Sequence, residues 1–289
     1  MRPKTKEKKI DMIWLILAVI GSSMLSILMR LSERHIGESV SVLAVNYVTC
    51  TVLSCIYSGI GNVSVNQGGL GLTLGLGLVN GVLYLSSFVL LQLSVKRNGV
   101  VMSTTFMKLG LLVPLVFSML VFGERMSIVQ GIGFVFTIAC IVLIHSEKEK
   151  TTIQFKVGLI LLLLIGGSAN GMSKVFEEIG NANHSSFFFA FTFGMACLLC
   201  WGLVIYKKEK VNKFHILYGI LIGIPNFFSA NFLLKSLRTL PAVIAYPTFS
   251  VGTIVVVSLV GIFLFKEKLG KRQWVAIVGI MAALVLMNI

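Results

Sequence analysis

The sequence predicts an all-α integral membrane protein of ten transmembrane helices, arranged as two inverted five-helix repeats. Three observations carry that prediction. Only 12% of the 289 residues are charged and 56% are hydrophobic, whereas soluble domains carry about 25% charged residues. Lipid removes the need for charge, because it rewards apolar surface on the outside of a fold. The apolar residues also gather in ten continuous stretches, each close to the roughly 20 residues that cross a bilayer as a helix. Finally, the chain repeats itself. Phe122-Gly123-Glu124-Arg125 returns as Phe265-Lys266-Glu267-Lys268, at a shift of 143 residues.

The stretches run over residues 11–30, 40–60, 70–95, 98–122, 127–145, 155–176, 184–206, 214–236, 240–265 and 271–289. The first follows a basic tail, Met1 to Lys9, in the manner of a signal peptide. No small-residue cleavage site with a soluble domain follows, and the second stretch begins almost at once, so the first is read as a membrane helix. The third carries Gly71-xxx-Gly75 and Gly77-xxx-Gly81, and the eighth Gly219-xxx-Gly223; small residues at this spacing let helices approach closely. Pro114, Pro225 and Pro247 fall inside stretches and can kink their helices. Helices are required because backbone groups in lipid must be satisfied within the segment, and a β-barrel would show alternating segments of about 10 residues.

The repeat divides the chain into residues 1–145 and 146–289. Gln130 and Gln273, Val135 and Val278, Ala139 and Ala282, Val142 and Val285, and Leu143 and Leu286 are identical at the same shift. Arg30-Leu31-Ser32-Glu33 similarly resembles Lys174-Val175-Phe176-Glu177 at a shift of 144. An odd number of spans per repeat inverts the second half, and inverted repeats place a substrate site near the midplane between them.

The net charge of +14 lies in short clusters between the stretches, such as Lys4 to Lys9, Lys148 to Lys156 and Lys207 to Lys213. Flanking positive charge at membrane boundaries accounts for it, and no soluble surface is available to bind nucleic acid. The five cysteines all fall in apolar stretches. Cys197 and Cys200 form a CxxC without solvent access or a second ligand pair, so they pack rather than react or bind metal. The four histidines (His35, His145, His184, His215) lie near stretch ends. No metal or cofactor site is expected.

Lys108 is the sharpest candidate. It lies in Met102-Ser-Thr-Thr-Phe-Met-Lys108-Leu-Gly110, ten residues, or about 15 Å, from the nearer end of its stretch. A lysine stem snorkels only part of that distance. A buried ammonium needs water, a partner or a ligand, so Lys108 is expected to face a central cavity and attract an anionic or zwitterionic group, with Thr104 one turn earlier. Amides within the stretches (Asn46, Asn80, Asn170, Asn226, Asn231) line the same cavity or hold helices together; Tyr47, Tyr84 and Tyr246 join them as candidate substrate contacts. Arg30 and Lys174 close the first helix of each half as gating or structural residues, with Glu33 and Glu177 as partners. Glu124 and Glu267, at helix–helix turns, are expected to cap helices and pair with Arg125 or Lys268.

These residues together resemble the drug/metabolite transporter superfamily, EamA type. The resemblance rests on the ten spans, the two halves, the two Phe-x-Glu-basic turns between the fourth and fifth helices, and Arg30 and Lys174. It implies a carrier that is not an ATPase. Such proteins move metabolites or drugs, often outward, across the bacterial inner membrane with both termini in the cytoplasm, and the cargo expected here is a small polar metabolite carried by alternating access. The expected partners are the small-molecule substrate and the lipid bilayer, and the protein is expected to be a monomer or a homodimer. Proton-coupled export of cationic drugs, as in the small multidrug resistance relatives, uses a carboxylate in the first helix; none occurs between Met12 and Met29. An intramembrane lipid-modifying enzyme needs paired carboxylates or a His–acid pair, and the only aspartate is Asp11 at the membrane edge.

Overall fold

A computed structural model of the chain describes residues 4–37, 39–58, 69–98, 100–145, 156–263 and 271–288. These residues form eleven α-helices: α1 (Lys4–Ile36), α2 (Val40–Ser58), α3 (Leu70–Asn98), α4 (Val100–Leu109), α5 (Leu112–Val121), α6 (Ile128–His145), α7 (Lys156–Ile179), α8 (Ser185–Lys207), α9 (Lys213–Leu237), α10 (Ala242–Phe263) and α11 (Lys271–Asn288). A 3₁₀ turn, Ala182–His184, precedes α8. Among the described residues there is no strand. Glu267 and Lys268 lie outside them.

Every apolar stretch carries helix, but the helices are not equal. Seven are long and apolar enough to cross a membrane, and the segments Phe106–Val121, Ile128–Leu143 and Trp274–Ala283 are shorter. The expectation of one continuous fourth helix over 98–122 is corrected: α4 and α5 are separate. Proline is the reason. Pro114 has no N–H to offer the Gly110 carbonyl four residues back, and its ring crowds that carbonyl. The Gly110 carbonyl instead accepts from Val113 at 3.0 Å, and the Lys108 carbonyl accepts from Leu111 at 3.3 Å. Pro114 thereby sits in the first turn of α5, where a missing donor costs little.

The bundle is held mainly by contacts between the first five stretches and the last five. α1 packs on α9 and α10, α2 on α8 and α9, α3 on α7 and α8, α4 and α5 on α7, and α6 on α11. Glycines decide several of these approaches. A Cβ on Gly81 would meet Met195 Cβ and the Thr192 carbonyl, each at 2.6 Å, and one on Gly77 would meet Phe191 Cβ at 2.6 Å, so α3 and α8 touch backbone to backbone. Gly219 and Gly223 on α9 stand in the same way against Val45 and Thr49 of α2.

The largest core cluster lies among α2, α7, α8 and α9, and is aromatic. Phe176 stacks on Phe188 at 4.5 Å between centroids, and Phe189 on Phe193 at 5.9 Å. The outer surface is apolar as well, with Leu120, Ile128, Val135, Leu198 and Val278 all exposed. In water such contiguous apolar surface would drive association; in lipid it is the expected outside of the fold.

Candidate functional site

Three polar regions stand out in this apolar bundle. The first lies where α2, α3, α8 and α9 meet. Asn226 Nδ2 donates to Asn46 Oδ1 at 3.1 Å, and the Cys50 thiol points at the same oxygen. At the next residue of α2, Tyr47 stacks on Phe193 (6.3 Å) and meets the Tyr84 ring edge-on (6.5 Å). Asn80 Nδ2 reaches Thr192 Oγ1 at 3.5 Å, while its Oδ1 is buried without a partner among the described residues. Asn231 is buried in α9. Asn170 on α7 is exposed, and it is its backbone carbonyl that accepts a hydrogen bond, from the Tyr246 hydroxyl at 3.0 Å. The structure therefore brings Asn46 to Asn226 and Tyr47 to Tyr84. It ties Tyr246 to the Asn170 backbone instead of to an amide side chain.

The second region is the break between α4 and α5. Lys108 lies in the last turn of α4, two residues before Gly110, and is partly exposed. Its ammonium makes no ion pair or hydrogen bond among the described residues. The break is pressed against α7: a Cβ on Gly167 would collide with the Gly110 carbonyl and with Val113, and one on Gly171 would meet Pro114 Cβ at 3.2 Å. Thr104 lies in α4, and its side chain is outside the described residues.

The third region is an ionic network at one end of the bundle. Lys174, buried on α7, holds Glu124 at 3.2 Å, Glu177 at 3.1 Å and Glu178 at 2.5 Å. Glu177 and Glu178 stand one turn further along the same helix, where side chains three and four apart are neighbours. Glu124 comes from the turn between α5 and α6, and it does more than pair. Its Oε1 and Oε2 accept from the backbone N–H groups of Ala242 and Val243, at 3.0 and 3.1 Å, and so cap α10. Arg125, its sequence neighbour, is exposed. Glu124 turns to Lys174 and to the positive N-terminus of α10 because both lie inside the bundle. Arg30 lies on α1 with an interaction of its own, and Glu267 lies outside the described residues.

A matching arrangement at the opposite end was not foreseen. Glu209, in the turn between α8 and α9, accepts from the Ser41 hydroxyl (2.6 Å), Ser41 N–H (2.7 Å), Ser39 hydroxyl (3.2 Å) and Val40 N–H (3.3 Å). It caps α2 from 168 residues away. Beside it the Tyr218 hydroxyl meets His35 Nδ1 at 2.9 Å. Within the basic run Lys207 to Lys213 only Glu209 carries negative charge. That lone acid was the available signal, but nothing local names its partner.

Burial pushes the Glu209 carboxyl upward, and the donors from Ser41, Val40 and Ser39 outweigh it and hold the group below its ordinary value. A depressed folded-state value stabilises the fold above the unfolded carboxylate pKa, about 4.3. That stability is lost as pH falls through the lower folded value. The stability gap between wild type and Glu209→Gln is therefore expected to be full at neutral pH and to close below about pH 4.3. Thermal midpoints of both proteins across an acid series check this; a gap that stays constant with pH contradicts it.

Comparison with known proteins bears on what these regions do. The model of the EamA-like transporter family matches residues 9–146 and again residues 157–289. The chain is 24% identical over 282 residues to an uncharacterised protein of Haemophilus influenzae, covering 93% of this chain and 95% of that one. It is 34% identical over 92 residues to the probable 4-amino-4-deoxy-L-arabinose-phosphoundecaprenol flippase subunit ArnE of Photorhabdus laumondii, covering 32% of this chain and 77% of the relative. The corresponding ArnE of Proteus mirabilis is 44% identical over 61 residues, or 21% and 53% of the two chains. One solved crystal structure, 12% identical, superposes with a TM-score of 0.76 over 96% of this chain and 97% of its own, which establishes a shared fold.

Proposed function

The chain belongs to the EamA-like transporter family, and from that premise we propose that it is a secondary carrier of a small polar metabolite bearing an anionic or zwitterionic group. It works by alternating access, with export as the working direction, across the bacterial inner membrane with both termini in the cytoplasm. Its ten spans are α1, α2, α3, the α4–α5 pair, α6, α7, α8, α9, α10 and α11.

The pattern of helix contacts supports two repeats. Exchange each helix of the first half for its counterpart in the second, α1 for α7, α2 for α8, α3 for α9, α4–α5 for α10 and α6 for α11. The packing of α1 on α9 then becomes that of α7 on α3, α2 on α9 becomes α8 on α3, and α1 on α10 becomes α7 on α4 and α5; all are present. The pairs α2 with α8, α5 with α10 and α6 with α11 map onto themselves. A two-fold relation of this kind is what five-span repeats of opposite orientation produce.

Lys108 carries the substrate class. An ammonium in the last turn of α4, at a helix break and without a protein partner among the described residues, is expensive in a membrane unless a ligand or water serves it. Lys108→Met is expected to lower flux in proteoliposomes by about 10- to 100-fold, the equivalent of one charge-assisted hydrogen bond, while Lys108→Arg retains part of it. The substrate for this assay is an anionic metabolite selected by its thermal stabilisation of the detergent-purified protein. Undiminished flux through Lys108→Met removes the charge claim.

The likeness to the flippase subunits favours a second reading, in which the cargo is a phosphate-bearing lipid-linked sugar. Thermal stabilisation by a polyprenyl phosphosugar and by no water-soluble anion would select it.

A further inference from the structure

Each half of the molecule sends one turn glutamate across to cap a helix of the other half, and it does so at opposite ends of the bundle. Glu124, between α5 and α6, caps α10 through Ala242 and Val243. Glu209, between α8 and α9, caps α2 through Val40 and Ser41. Helix α9 separates the two ends: it begins four residues after Glu209 and ends five residues before Ala242. Its 25 residues span about 37 Å at 1.5 Å per residue, more than the hydrocarbon thickness.

We propose that these two glutamates are the latches of two gates: Glu124 holds one end of the carrier shut, Glu209 holds the other, and each end opens only when its own latch lets go. The inference rests on the alternating-access reading above and adds what closes each end. A rigid-body rocking of two halves separates groups joined across them at one end only. Both latches qualify, because each joins a turn of one half to a helix N-terminus of the other.

The two latches differ in strength. Glu124 is also ion-paired to Lys174, itself held by Glu177 and Glu178. Among the described residues the donors to Glu209 are neutral, the Ser39 and Ser41 hydroxyls and the Val40 and Ser41 N–H groups, and beside it Tyr218 and His35 join the halves through a hydroxyl contact. The Glu209 end therefore carries the weaker of the two latches, the one whose release gives a state open at that end. Removing its latch shifts the population toward that open state and, because both ends do not open together, tightens the Glu124 end.

Hydrogen exchange of the backbone amides in the full-length protein, purified in detergent without substrate, tests this. In Glu209→Gln, exchange is expected to quicken about tenfold, the loss of roughly one charge-assisted hydrogen bond. It should quicken across the whole end, in residues 33–37 and 213–216 as well as at Val40 and Ser41. Residues 238–243 should keep or slow their wild-type rates. Ser41→Ala, which removes only the 2.6 Å hydroxyl donor, should show the same pattern more weakly and serves if the glutamine variant does not fold. Quickening confined to Val40 and Ser41 would make Glu209 a helix cap and nothing more, and quickening at both ends together would make it a general stabiliser; either result overturns the proposal. Exchange needs no substrate, so it is judged apart from transport. A protein that moves no solute sinks the carrier reading, whereas flux without end-specific opening sinks only the latches.

Discussion

Lys174→Met is expected to destabilise the folded protein by about 3–5 kcal/mol, the usual consequence of removing one partner from a buried ionic network. Lys174 is 4% exposed, and its ammonium lies within 3.2 Å of three carboxylates. Without it Glu124 and Glu177, whose side chains are 13% and 18% exposed, face each other with no cation between them. A buried carboxylate that loses its counter-charge is the costly element, more than the lost attraction itself. Adding Glu124→Gln removes one of the stranded charges, so the double variant should recover part of the loss, and the two substitutions should be non-additive. The thermal midpoint of the detergent-purified protein is the measurement. A loss no larger than that of an ordinary surface substitution, about 0.5 kcal/mol, would show that the network is solvated.

Gly167→Val carries the second large effect, through packing rather than charge. The Cβ alone would collide with the Gly110 carbonyl and stand 2.6 Å from Val113 Cβ and Cγ2. The Gly110 carbonyl cannot retreat easily, because it is the carbonyl that Pro114 leaves without its helical partner and that Val113 now satisfies. Overpacking of this kind costs about 1–3 kcal/mol, and the upper part of that range is expected where backbone is the obstacle. Protein that does fold will have its α4–α5 break pushed off α7, with Lys108 displaced along with it, so its flux should fall with that of Lys108→Met. Gly202→Ala on α8, where an added Cβ meets nothing within 4 Å, is the control and should change the midpoint little. Equal midpoints for the two variants would mean that α7 and the break are not tightly packed.

Both predictions depend on contacts of which the sequence displayed only part. The pairing of Lys174 with Glu177 and Glu178 is legible, because spacings of three and four residues put them on one helical face. The third carboxylate was not. Glu124 stands beside Arg125 in the chain, and only the fold sets it against α7 and α10 instead. The break before Pro114 is legible as a proline effect, while the choice of α7 as the surface receiving it is not. Asn46, Asn226, Tyr47 and Tyr84 were each visible as polar groups in apolar helices. Which of them meet, and that Tyr246 reaches a backbone carbonyl, depended on how α2, α3, α7, α9 and α10 lie beside one another.

The sequence by itself determined the solvent and the secondary structure. A bilayer asks every segment to satisfy its own backbone, so each apolar stretch had to be helical whatever its neighbours did. Only the tertiary structure decided where the turn carboxylates go. Their partners are unfilled N–H groups at the starts of helices, and α10 begins 118 residues beyond Glu124, while α2 begins 169 residues before Glu209. A carboxylate bonds the donors that folding brings within about 3 Å, and separation along the chain holds no record of that distance.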